Sequence, residues 1–138
     1  MIKITDIDSD SSLLYDNDKQ GWSVLHNAND KIYSLSNDKD LISILKILYK
    51  EPSTFFSGIK EAAAINNLPE SVADYFPLKN LIIFCISNRL HYWLDLSIPW
   101  FKFIKMDDDF LKLIKETSKD KKVDQKLRHK LIKAVQCR

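Results

Sequence analysis

Residues 81–86 read Leu-Ile-Ile-Phe-Cys-Ile, and a helix built from them has no polar face. A helix that is apolar all round must be buried, either in a protein core or in a membrane. Leu90, Tyr92, Trp93, Leu94 and Leu96 extend the same surface. A membrane span needs about 20 mostly apolar residues. Here Asn88, Arg89, His91 and Asp95 interrupt after a run of six. The stretch therefore predicts the central, most buried helix of a soluble domain, over residues 78–95.

A chain of 138 residues fits one domain with one core, residues 1–138 as a unit, removing roughly two-thirds of its unfolded surface from water. The 45% apolar content argues against wholesale disorder. Glycine is scarce, with only Gly21 and Gly58. Phosphate-cradling loops rely on glycine for close backbone approach, so P-loop and dinucleotide sites are excluded.

Along the chain, Ile2 and Ile4 alternate with polar residues as in a half-buried strand. An Asp/Ser/Asn-rich segment follows, with Leu13, Leu14 and Tyr15 embedded in it. Residues 22–26 and 31–35 read as two strands joined by Asn27-Ala-Asn-Asp30, a set of turn residues without glycine. Asn37 or Asp38 can cap a helix over 39–50 with Leu41, Ile44, Leu45 and Leu48 inward. Pro52 stops it, and Ser53 or Thr54 opens the next helix, which ends near Asn66-Asn67. Pro69 starts a short helix that Pro77 stops, and Pro77 begins the central one. Beyond Leu96 an aromatic linker or short helix holds Trp100, Phe101 and Phe103, and Asp107–109 start another helix. A last helix over 123–136 turns Val123, Leu127, Leu131, Ala134 and Val135 inward. The expected fold is α+β and mostly helical: two or three short N-terminal strands in a strand- and loop-rich part (1–37), then five or six helices (38–138).

Familiar chemistries fail one by one. Asp6-x-Asp8-x-Asp10 opens like a calcium loop, but Ser11 stands where the sharp turn needs glycine and Asn17 where a bidentate glutamate is needed. His26, His91, His129, Cys85 and Cys137 share no zinc-ligand spacing. Cys85 lies in the most apolar stretch, unsuited to an activated thiolate. The pair reads as two reduced thiols rather than a disulfide framework. The start, MIKITDIDSD, shows no secretory signal pattern, so a cytoplasmic setting is expected. No enzyme, metal or cofactor is expected.

Charge is the remaining signal. Residues 1–51 carry six lysines against nine acids, whereas residues 101–138 carry twelve Lys/Arg against six acids. The basic residues Lys119, Lys121, Lys122, Lys126, Arg128, Lys130, Lys133 and Arg138 offer a face for phosphate contacts. Lysine outnumbers arginine there and acids intervene, so a solvated helix face explains them more simply.

The Lys/Ile/Asn/Asp-rich composition, the small size and the stretch LRHKLIKAV (127–135) together resemble small bacterial immunity proteins. These are the antidotes of contact-dependent growth inhibition and related polymorphic toxin systems. The resemblance rests on overall character and carries over no functional residue. It implies inhibition of a toxin by occluding its active site. A nuclease-type toxin needs a positive surface, so its inhibitor profits from acids that speed encounter. The candidate partner-binding residues are Asp8, Asp10, Asp16, Asp18, Asp38 and Asp40, with an exposed Tyr15 or Trp22 as aromatic anchor. Two alternatives remain. One is an adaptor of a secretion or phage-related assembly, docking through Trp93, Trp100, Phe101 and Phe103. The other is a nucleic-acid binder using the basic C-terminal helix.

Overall fold

The computed structural model describes residues 1–136. The expectations for Cys137 and Arg138 lie outside the described residues. The fold is α+β and mostly helical, with four N-terminal strands followed by helices. Contacts divide the chain into two compact units, Met1–Leu81 and Ile82–Arg138.

The first unit begins with an antiparallel meander of β1 (Ile2–Asp6), β2 (Ser11–Asp16), β3 (Gly21–His26) and β4 (Lys31–Ser34), paired in that order. β2 falls within the Asp/Ser/Asn-rich segment, for which the sequence pattern predicts no strand. Its residues Ser11–Tyr15 are all buried, on both faces of the strand. A strand covered on both sides loses the alternation that reveals a half-buried one.

Each turn is held by a side chain in place of glycine. Asp8 Oδ1 accepts from the Asp10 amide and the Ser11 hydroxyl, both at 2.8 Å. Asp16 Oδ1 accepts from the Asp18 amide at 3.0 Å, and Asn29 Oδ1 from the Lys31 amide at 3.1 Å. Gln20 (φ 51°) and Asp30 (φ 54°) take the left-handed conformation just before β3 and β4. Asx turns of this kind explain how the hairpins form without glycine at their tips.

Residues Asp38–Tyr49 form 3-10 turns rather than the expected α-helix. Leu41, Ile44 and Ile47 recur every third residue and Leu45 and Leu48 make a second such row; all five are buried. Three-residue spacing stacks side chains on a 3-10 helix. α1 (Pro52–Ile65) follows, with Pro52 in its first turn. Its cap is Glu51 rather than Ser53 or Thr54, accepting from the amides of Ser53 at 3.1 Å and Thr54 at 2.6 Å. Asn67 (φ 57°) turns the chain after it. A 3-10 segment, Glu70–Tyr75, leads to Phe76. The Phe76 ring packs at 5.7 Å from Trp22 and 5.1 Å from Phe55, joining sheet and helix in one aromatic core.

The apolar stretch is helical, but its helix is shorter than expected. α2 (Leu78–Ser87) and α3 (His91–Ser97) are separate. Arg89 takes φ 55°, and the Leu90 amide donates back to the Cys85 carbonyl at 2.8 Å, ending α2. Burial is also one-sided: Leu81, Ile82 and Cys85 are fully buried, while Ile83, Phe84 and Ile86 are half-buried.

In the second unit, α3 runs into a 3-10 segment (Ile98–Phe103), followed by α4 (Asp108–Thr117) and α5 (Gln125–Gln136). Asp107 caps α4 by accepting from the Phe110 amide at 2.8 Å. Leu94, Trp100, Phe101, Phe110, Ile114 and Leu131 form the core. Lys130 of α5 reaches Asp95 of α3 at 2.8 Å.

Candidate functional site

The length of β2 decides how the candidate acids are arranged. Asp8 and Asp10 lie in the turn before β2, and Asp16 and Asp18 lie at and beyond its end. A six-residue strand spans about 20 Å, and the screening length at physiological ionic strength is about 8 Å. The two pairs therefore act as separate charge groups.

Asp8 and Asp10 share their end of the sheet with the Asn27–Asp30 turn, since the Asn27 amide donates to the Asp10 carbonyl at 2.8 Å. Carboxylates here have local work. Lys46 Nζ lies 3.3 Å from Asp8 Oδ2, fastening the turn to the Asp38–Tyr49 segment. Asp6 pairs with Lys3 at 2.9 Å and accepts from the Ser12 hydroxyl at 3.2 Å. The amide of Asp10, the Ser11 hydroxyl and then Lys46 hold the Asp8 carboxyl below the usual carboxylate range. Lys3 and Ser12 do the same for Asp6. Among the described residues no three His, Cys, Asp or Glu side chains come together as a metal site.

The opposite end gathers the other candidates. The Leu35 amide donates to the Trp22 carbonyl at 2.9 Å, which extends the β3–β4 pairing toward this end. Gln20, Ser36, Tyr75 and Asn80 then line an open cavity of about 200 Å³ with Trp22, Leu35 and Pro77 among its apolar walls. Asp18 precedes Gln20 by two residues, Asp38 follows Ser36 by two, and Asp74 adjoins Tyr75. Asp16 Oδ1 organises the turn beneath Asp18 and Lys19, and Asp40 sits in the first 3-10 turn, its amide donating to Asn37 O at 3.0 Å. Asp16, Asp18 and, two residues beyond Ser36, Asp38 thus belong to one end and Asp8 and Asp10 to the other, while Asp40 lies in the segment whose Lys46 reaches Asp8.

The expected aromatic anchors are corrected. Tyr15 is 1% exposed and Trp22 3% exposed, so neither is a free surface ring. They are cross-strand partners on one face, with ring centroids 5.1 Å apart, and that face packs on Phe76. The Trp22 indole Nε1 is buried and lacks a hydrogen-bond partner, alone in this among the described residues. Tyr75 is the exposed aromatic here, at 51%. Sequence reasoning missed it because it lies in a short segment read only as a helix between two prolines. Its position one residue after Asp74 and two before Pro77 was the available signal.

The adaptor patch is corrected in the same way. Trp100 and Phe101 are core residues, Trp93 is half-buried, and Tyr92 and Phe103 are the exposed rings of that region. Cys85 is buried, which pushes its thiol up to about 12 and leaves it protonated at neutral pH. In the C-terminal region, Lys126, His129 and Lys133 are exposed, while Lys130 is half-buried against Asp95.

Charge divides as the contacts do. The first unit holds eight Lys/Arg against twelve acids, net −4, and the second thirteen against seven, net +6. No helix among the described residues is long and apolar enough to cross a membrane. No family model, curated protein or solved structure matches the chain.

Proposed function

We propose that the chain is a protein-binding module that neutralises a basic partner by covering its active surface, as an immunity protein does a toxin. The observation that carries this reading is a cavity of the first unit with Tyr75 exposed at its rim, whose lining residues Gln20, Ser36 and Tyr75 have Asp18, Asp38 and Asp74 as close chain neighbours. Acids steer a basic partner into place and fix its register. An aromatic beside a recess supplies the kind of anchor that dominates binding energy. The unit's net charge of −4 adds a field of the same sign. A nuclease-type toxin domain is the partner this chemistry suits, and a cytoplasmic setting accords with it.

The test is inhibition. The chain serves as bait in cells of its native host, and the captured protein is assayed on nucleic acid with and without it. Loss of that activity at stoichiometric amounts supports the reading; full activity in the saturated complex contradicts it.

A second reading, a nucleic-acid binder, is favoured by one observation. The second unit has a net charge of +6 with Lys112, Lys115, Lys119, Lys126 and Lys133 exposed. Such binding would weaken steeply with salt. The adaptor reading is weaker, because two of its four docking aromatics, Trp100 and Phe101, are core residues.

A further inference from the structure

We propose that the cavity at Gln20, Ser36, Tyr75 and Asn80 receives an arginine side chain of the protein partner. This rests on the protein-binding reading above and names the group that the partner inserts.

Size comes first. At about 200 Å³ the cavity is smaller than the roughly 300–1,000 Å³ that encloses a drug-sized molecule. It is several times the roughly 30 Å³ share of one water molecule. One long side chain is the natural occupant.

Chemistry selects which one. Gln20, Ser36, Tyr75 and Asn80 each bring a neutral oxygen able to accept a hydrogen bond, and among the described residues no cationic one lines the recess. The first unit, which supplies the whole described lining, carries twelve acids against eight Lys/Arg, with Asp18, Asp38 and Asp74 within two residues of Gln20, Ser36 and Tyr75. An anion is therefore disfavoured and a cation favoured. Leu35 and Pro77 offer apolar surface to a methylene stem, and Tyr75, 51% exposed, brings a ring against which a guanidinium can stack. Arginine suits such a site better than lysine. Its planar group presents five donors to several neutral acceptors and sheds its hydration more readily. The Trp22 indole N–H plays no part, because that atom is closed to solvent.

The test needs no partner. Nα-acetyl-arginine amide is titrated into 15N-labelled protein, with Nα-acetyl-citrulline amide as the uncharged isostere and Nα-acetyl-glutamate amide as the anion. Cross-peaks of the Gln20 and Asn80 side-chain amides and the Trp22 indole are followed. The arginine probe should shift them saturably with Kd on the order of 1 mM, the scale for so small a ligand. Citrulline should bind at least several-fold more weakly and glutamate not at all. Tyr75→Ala and Asn80→Ala, both at exposed positions, should weaken the arginine probe several-fold while the remaining amide spectrum shows an intact fold. No saturable shift at tens of millimolar, or equal binding of citrulline, overturns the proposal. Should the captured partner still depend on Asp18 and Asp38 but not on Tyr75 or Asn80, the arginine pocket falls and the protein-binding reading stands.

Discussion

Asp8 and Asp16 stand at opposite ends of the same strand, one in the turn that opens β2 and the other at its last residue. Eight positions apart in sequence, they are separated by the length of an extended chain. Reversing Asp18 to Lys, with the turn-holding Asp16 left in place, is therefore expected to slow association with a basic partner severalfold. Reversing Asp10 to Lys at the far end should change the on-rate far less. Stopped-flow association at two salt concentrations checks this, since rim charges act mainly on encounter and are screened by salt.

Asp8 is expected to matter for stability instead. Its carboxylate accepts from the Asp10 amide and the Ser11 hydroxyl and meets Lys46. Asp8→Ala should cost about 1 kcal/mol at pH 7, the scale of one local hydrogen bond. The sign with pH follows from the lowered pKa. A carboxyl depressed by folding stabilises the fold above its unfolded value. That contribution fades as pH falls through the folded value, below about pH 4. Urea midpoints of wild type and variant should thus converge in acid, and a gap that persists at pH 2 would contradict the account.

The α2 positions should separate by burial. Ile82→Ala removes a side chain with no exposed surface and is expected to cost about 2–5 kcal/mol. Ile83→Ala and Phe84→Ala, at half-buried positions, should each cost less than Ile82→Ala. Denaturant melts of the three variants measure the order.

How the sequence relates to the fold is plain at these same elements. β3 and β4 are legible because apolar residues flank a four-residue Asn/Asp turn. β2 is not, because burial of Ser12 and Leu14 on one face and Leu13 and Tyr15 on the other erases its alternation. The apolar run foretells helix at 81–86, but not its break, since Arg89 enters the left-handed region without a glycine or proline to mark it. Of the site, the acids are visible as residue types. Their division between two ends depends on the pairing of β2, and Trp22 faces the core because its partner Tyr15 does. Tyr75 becomes notable only once the chain brings it beside Gln20 and Ser36.

Cys85 gives a separate check on the core. Its buried thiol, raised to about 12, should resist a thiol reagent in the native protein at pH 8. In a Cys137→Ser background, labelling should appear only as the protein unfolds. Rapid labelling under native conditions would contradict the packing of α2.

On the proposed reading, a basic protein engages the end of the first unit that carries Asp18 and Asp38. The most direct test is the affinity of the captured host partner for three forms: wild type, Asp18/Asp38→Lys and Lys126/Lys133→Glu. The account predicts that the first set weakens binding tenfold or more, about 1.4 kcal/mol, chiefly through the on-rate, while the lysine reversals leave it within twofold. Binding that survives the aspartate reversals, or that collapses on reversing Lys126 and Lys133, would contradict it.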